Sequence, residues 1–173
     1  ATVILVSGPV QIQKKHQNIE LHKVSSSEEM YNLCMEYFPG CDAAVMAAAV
    51  ADFKPKNIHK EKLKKGEKGL HMQLELEATP DTLSAMGKGK TNQILMGFAL
   101  ETRDEEKNAK EKLTRKNLDF IILNSLKDQG AGFGHDTNKI SIIDNKNNVL
   151  RYPLKHKSEV AIDIVDMLEK SLT

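Results

Sequence analysis

Apolar and polar positions change in blocks along the chain, and the blocks read alternately as strands and helices. Ala1 to Val6 is a β-branched apolar run stopped by Ser7-Gly8-Pro9. It predicts a buried strand starting at the first residue and, because domains seldom open this way, a segment before Ala1. Ile19 to Val24 predicts a second strand, leading into Ser25-Ser26-Ser27-Glu28, a capping box. In the helix behind it Met30, Leu33, Cys34, Tyr37 and Phe38 recur at helical spacing until Pro39-Gly40. Ala43 to Val50 is small and apolar throughout, which predicts a strand buried on both faces and ending at Ala51-Asp52-Phe53.

Residues 54–68 break the pattern, with seven lysines, two glutamates and only Ile58 and Leu63 as large apolar side chains. Such a stretch can bury little and predicts a mobile loop. Leu70, Met72, Leu74 and Leu76 then alternate with polar residues, as in a strand with one wet face. Thr79-Pro80-Asp81-Thr82-Leu83 reads as a turn feeding a short helix that ends at Gly87-Lys88-Gly89, and Ile94 to Leu100 as a buried strand. Thr102-Arg103-Asp104-Glu105 forms a second capping box before a helix with Lys110, Lys112, Arg115 and Lys116 in its last two turns, where the macrodipole favours cations. Phe120 to Leu123 predicts a strand, Gly130 to Gly134 a glycine loop, and Lys139 to Ile143 with Val149 to Tyr152 a hairpin. The last helix, Ser158 to Leu172, carries Val160, Ile164, Met167 and Leu168 on one face. The alternation predicts a single α/β domain over residues 1–173: a Rossmann-like, mainly parallel sheet flanked by helices, with an antiparallel hairpin near the C-terminus.

Composition narrows the classes. With 173 residues, 40% hydrophobic, 28% charged and a net charge of +1, the chain has the makeup of a globular domain. It lacks the overall basicity of a nucleic-acid or membrane-surface binder. Cys34 and Cys41 form no CxxC pair, so neither a disulfide framework nor a zinc site is supported, and the expected compartment is the cytoplasm. No apolar run reaches the roughly 18 residues of a membrane span.

The lysine loop is the strongest local anomaly, because it follows Asp52 at the carboxyl end of a predicted buried strand, where open α/β sheets bind ligands. A cationic loop there suits phosphates, although lysine runs are more often plain solvated surface. Lys112 and Lys116 share a helix face with Asn108, which also suits an ordinary charged surface helix. Asp81 after Pro80 fits a helix cap as well as a ligand contact. Gly87-Lys88-Gly89-Lys90 lacks the P-loop spacing, no GxGxxG follows the first strand, and neither HExxH nor GxSxG occurs.

The order of several motifs is more informative than any one of them. Leu5-Val6-Ser7-Gly8-Pro9-Val10, Ala47-Ala48-Ala49-Val50-Ala51-Asp52-Phe53, Glu61-Lys62-Leu63-Lys64-Lys65, Thr79-Pro80-Asp81-Thr82-Leu83 and Gly97-Phe98-Ala99-Leu100-Glu101-Thr102 follow one another. Arg115-Lys116-Asn117-Leu118-Asp119 and Gly132-Phe133-Gly134-His135-Asp136-Thr137-Asn138 complete the series. Together they closely resemble phosphopantothenoylcysteine synthetase over nearly the whole chain. The resemblance implies a ligase joining 4′-phosphopantothenate to cysteine through an acyl-nucleotide, with Mg²⁺ and CTP in most bacteria or ATP in eukaryotes. It implies a homodimer and allows fusion to or association with a flavin-dependent decarboxylase; no nucleic acid or membrane partner follows from it. Residue by residue, it implies nucleotide contacts from Asp52, Lys62, Pro80, Asp81, Thr82, Leu83, Phe98, Lys112 and Lys116, a catalytic role for Lys62, and phosphopantothenate beside Ala48 and Ala49. It leaves the metal ligands unknown. The family's N-terminal strand, loop and asparagine-bearing segment have no counterpart after Ala1, so either that segment is expected upstream or the chain is expected to be a fragment that binds nucleotide without completing the reaction.

Two other readings stay open at this stage. A nicotinamide-dependent reductase would need a glycine fingerprint upstream of Ala1 and an acid about 20 residues later. A noncatalytic nucleotide-binding module would bind without turnover.

Overall fold

The structure, a computed structural model, describes residues 1–10, 16–57, 73–125 and 134–172. Two compact units make up the chain: one of residues 1–32 and 49–81, the other of residues 33–48 and 82–173.

In the smaller unit β1 (Val3–Ser7) pairs in parallel with β2 (Ile19–Lys23). Val3 and Leu5 are exposed, unlike the buried strand expected there, because among the described residues this sheet has two strands and no further neighbour to cover it. Helix α1 (Ser27–Tyr37) follows. Its capping box sits one residue later than its serine run suggests: Ser26 Oγ accepts the Glu29 amide N–H at 3.1 Å, and the Glu29 carboxylate accepts the Ser25 amide N–H at 2.7 Å. Three consecutive serines make the register ambiguous in sequence, and the Glu at the third helical position decides it. Beyond Tyr37, Pro39 tightens the chain into a single 3₁₀ turn that ends the helix.

The larger unit holds a five-stranded sheet. Strand β3 (Ala43–Met46) lies at one edge; β4 (Phe53–Pro55) and β5 (Leu76–Ala78) belong to the smaller unit, and the larger one resumes with α2 (Thr82–Gly89), β6 (Ile94–Glu101), α3 (Glu105–Arg115) and β7 (Phe120–Ser125). Then follow β8 (Thr137–Asn138), β9 (Ile140–Asp144), β10 (Val149–Arg151), β11 (Lys155–His156) and α4 (Lys157–Leu172). The strand order is β10-β9-β7-β6-β3, with β3, β6 and β7 parallel and the β9–β10 hairpin antiparallel. This is the mixed α/β fold expected: a parallel centre flanked by helices and extended by a late hairpin. Alternation along the strands builds two cores. Leu95, Ala99, Ile121 and Leu123 pack with α2 and α3, whereas Met96, Ile122, Ile140 and Ile142 pack with Val160 and Ile164 of α4.

Three expectations change. The strand at Ala43 stops at Met46, and Ala47 to Val50 are exposed, because an edge strand with one partner cannot be covered as a central one is. Lys54 and Pro55, expected in the mobile loop, instead form β4, paired with β5, where Leu76 is exposed. Lys54 is held between Glu28 and Glu77, and these contacts, Glu28 foremost, raise its pKa, so it is no mere solvated charge. Helix α3 begins at Asp104 in the left-handed region with no side-chain cap bond. Asn108 Nδ2 replaces the expected box, donating to the Arg103 carbonyl at 3.0 Å and to Glu101 Oε2 at 3.2 Å. From Ile58 on the lysine loop, with Leu70 and Met72 of the strand expected after it and most of the glycine loop at Gly130, lies outside the described residues; Lys56, Asn57 and Leu74 are described and exposed, and the strand expected from Leu70 is paired only from Leu76.

The α1 cap generates a pH prediction. Backbone N–H and hydroxyl donation from Ser25 holds the Glu29 carboxyl below its usual range. A carboxyl lowered by folding adds stability above its unfolded pKa, and that stability is lost as pH falls through the folded value. Urea melts should therefore show a gap between the unsubstituted chain and Glu29→Gln at pH 7 that closes below about pH 4, and Ser26→Ala should cost about 1 kcal/mol at pH 7.

Candidate functional site

In the smaller unit the chain returns on itself next to Asp52. Thr79 donates twice, its hydroxyl to the Ala51 carbonyl at 2.5 Å and its amide N–H to the Asp52 carbonyl at 3.0 Å. The effect is to set exposed Asp52 beside the Pro80-Asp81 turn, so two sequence-distant candidates come together. Ala49 is exposed a few residues before Asp52. Thr79 was not among the candidates, although it opens the Thr79-to-Leu83 motif and places a hydroxyl directly before the Pro80 turn.

In the larger unit, Ala48 is exposed just after β3. Thr82 and Leu83 open α2, and Leu83 packs on β6 where the strand has no side chain. A Cβ on Gly97 would meet Leu83 Cδ2 at 2.8 Å and Leu118 Cδ1 at 2.9 Å. Thr82 is 5% exposed, and its Oγ1 is the buried side-chain oxygen with no hydrogen-bond partner among the described residues. An unpaired buried hydroxyl is costly, which makes it a position to watch for a ligand group.

Phe98 lies on the α4 face of β6, half-buried against the second core. Its main-chain carbonyl accepts from Lys112 Nζ at 2.8 Å, so the structure brings these two candidates into contact. Helix α3 runs back against the direction of β6 and β7, which carries the Lys116 main chain toward the amino ends of those strands. There the Asp119 N–H donates to the Leu95 carbonyl at 3.0 Å, and a Cβ on Gly87 would lie 1.9 Å from the Lys116 carbonyl oxygen. Lys62 lies outside the described residues, and no group of three metal-ligating side chains occurs among the described residues. A cavity of about 260 Å³ lined by Phe120, Ile142, Asp144 and Met167 contains none of the candidates.

The Arg115 to Asp119 motif has a structural job. Asn117, at φ 50°, donates from Nδ2 to the Gly87 carbonyl at 2.8 Å. Asp119 Oδ2 accepts from Lys90 Nζ and from the Leu95 N–H, both at 2.8 Å. The motif therefore ties the end of α2 and the start of β6 to the turn after α3, and so holds the helix that carries Lys112.

Comparison with known proteins covers nearly the whole chain. Residues 1–172 match the family model described as the DNA/pantothenate metabolism flavoprotein C-terminal domain. A relative named cysteine/cysteine sulfinic acid decarboxylase, from an unknown prokaryotic organism, is 51% identical over 166 residues, 95% of this chain and 46% of its own length. A coenzyme A biosynthesis bifunctional protein CoaBC of Bacillus subtilis is 41% identical over 165 residues, 95% of this chain and 40% of its own. The chain thus spans less than half the length of these relatives. Among solved structures, the C-terminal domain of a CoaBC protein superposes with a TM-score of 0.80 at 35% identity, covering 99% of this chain and 76% of that one. A Cab2 mutant in complex with phosphopantothenate-cysteine shares the fold, with a TM-score of 0.64 at 16% identity over 89% of this chain and 54% of that one.

If Asp119 is the anchor described, Asp119→Ala should lower stability by about 2 kcal/mol, the scale of a charge-assisted hydrogen bond lost at a half-covered site. Asp52→Asn, on the exposed side of the Thr79 tie, should stay within about 0.5 kcal/mol. Equilibrium urea unfolding of both variants checks the contrast.

Proposed function

Because the chain belongs to the family of the DNA/pantothenate metabolism flavoprotein C-terminal domain, we propose that it is the ligase part of a coenzyme A biosynthesis enzyme. In this reading it joins 4′-phosphopantothenate to cysteine by way of an acyl-cytidylate. The observation that carries the reading is the family match from the first residue to residue 172, joined to similarity over 95% of this chain to a protein named for coenzyme A biosynthesis.

In the first step a carboxylate oxygen of phosphopantothenate bonds to the α-phosphorus of CTP, and the bond to the β-phosphate breaks to release pyrophosphate. In the second the cysteine amine attacks the acyl carbon, the bond to cytidylate breaks, and the amine loses a proton to solvent. Neither step needs a protein nucleophile; both need positive charge and donors where anionic oxygens crowd. Lys112, held on the Phe98 carbonyl, offers an ammonium whose position is set before ligand arrives. The Thr82 hydroxyl, buried and unspent, lies in the turn assigned to the nucleotide. Mg²⁺, when bound with CTP, would neutralise phosphate charge. Lys62 is assigned the charge that builds on the phosphates in the transition state. Ala48 and Ala49, being small, leave room for phosphopantothenate beside the backbone.

We assign a homodimer and a cytoplasmic setting as parts of the same reading. The relative named for decarboxylation favours fusion to, or association with, a flavin-dependent decarboxylase, since this chain covers less than half of that protein. Ligation and CO₂ release from cysteine, assayed side by side on this chain, separate the two activities: ligation with no CO₂ release supports the reading, and CO₂ release without ligation defeats it.

CTP with Mg²⁺ should raise the melting temperature more than ATP does, a ligand at 100 times its dissociation constant adding about 2.7 kcal/mol. Equal shifts from all four nucleoside triphosphates would remove base selection from the proposal. Lys62→Ala should slow pyrophosphate release in a rapid-quench assay by roughly 100-fold while weakening CTP binding far less. Lys56→Ala, an exposed residue 3.5 Å from Glu75, should change little by comparison.

A further inference from the structure

We propose that Asn138 is a positioning residue for the nucleotide site: it fixes the polarity of the Asn124 carboxamide, so that Asn124 presents donors to the base beside Phe98. The inference rests on the nucleotide-dependent reading above and goes beyond it, since neither asparagine was a candidate.

A carboxamide has nearly the same shape whichever way round it sits, so packing alone does not choose its direction; its hydrogen-bond partners must. One partner here is unambiguous. The main-chain N–H of Lys139 can only donate, and it meets Asn138 Oδ1 at 3.0 Å. That places Asn138 Nδ2 on the opposite side, where it donates to Asn124 Oδ1 at 3.1 Å. Asn124 Nδ2, opposite its own oxygen, is therefore turned away from Asn138. The mount is firm, because Asn138 is 7% exposed and its backbone is paired across β8 and β11 with Lys155.

Asn124 lies near the carboxyl end of β7, half-buried, on the same face as Phe120 and Ile122. In the parallel register Ile122 lies opposite Phe98 and Asn124 opposite Leu100, so Phe98 and Asn124 share one sheet face a single step apart. An aromatic ring beside an amide donor suits a nucleobase: the ring takes its flat face and the amide an acceptor on its edge. Cytosine offers adjacent O2 and N3 acceptors there, whereas uracil places an N–H at the same position. A donor fixed by Asn138 therefore favours cytosine.

The test is calorimetric titration of the full chain with CTP and with UTP, each with Mg²⁺. In Asn138→Asp the introduced carboxylate still accepts from the Lys139 N–H but cannot donate, so the Asn124 amide must turn its nitrogen inward and its oxygen outward. CTP affinity at pH 8 should fall roughly tenfold or more, UTP should gain relative to CTP, and lowering the pH should restore CTP binding as the carboxyl takes up a proton and donates again. Unchanged CTP affinity, or a loss with neither a change in the CTP to UTP ratio nor recovery at lower pH, would overturn the proposal. A second measurement needs no variant: by NMR of the unsubstituted, ligand-free chain, the Asn138 side-chain amide protons should exchange with solvent more slowly than those of Asn124. The opposite order would overturn the assigned polarity. If the unsubstituted chain binds no nucleotide, the ligase reading fails, and the exchange order still decides the polarity.

Discussion

The larger unit depends on one strand that must be approached from every side. β6 pairs in parallel with β3 and β7, sends Leu95 and Ala99 into one core and Met96 into the other, and leaves Gly97 bare where Leu83 and Leu118 close over it. With methyl carbons of Leu83 and Leu118 within 3 Å of any added Cβ, a side chain at this position would force those two leucines to repack. The small residue therefore gives Leu83 of α2 and Leu118 of the turn after α3 room to close over the strand.

The polar contacts around this strand share a logic. Lys112 is held by a main-chain carbonyl, Asp119 by a main-chain N–H, Asn117 by the Gly87 carbonyl and Asn138 by the Lys139 N–H. Main-chain groups have fixed donor or acceptor identity and move little once the sheet has formed, so each side chain inherits a direction as well as a place. A surface ion pair would not give that: Lys56 near Glu75 is exposed and free to exchange partners with water. Charge meant for a polyanionic substrate is better held by the first kind of contact, because little reorganisation is then left to the reaction.

The stretch from Arg115 to Asp119 shows how function and folding share residues. Its lysine was a candidate contact, yet Asn117 and Asp119 work as fasteners between α2, β6 and the turn after α3. Nothing about an Asn-Leu-Asp triplet announces that role, since its partners, Gly87, Lys90 and Leu95, lie more than twenty residues away.

Periodicity and turn chemistry determined helices α1 to α4, the parallel centre, the late hairpin and the α4 face, though not the short strands β4, β8 and β11, because the former depend on contacts between near neighbours or on a repeat of two or 3.6 residues. The run of motifs determined the family. Tertiary structure decided what has no local signature. A serine run does not say which residue caps α1, and Glu29 chose Ser26. An apolar run does not say whether it will be an edge, and with β6 as its one partner in the sheet β3 stays short. Nor does Thr102-Arg103-Asp104-Glu105 disclose that Asn108 will hold the start of α3. The contact of Lys112 with Phe98 and the polarity of Asn124 are of the same kind: each is set by a hydrogen bond between groups fourteen residues apart, whose geometry exists only once the sheet has brought them together.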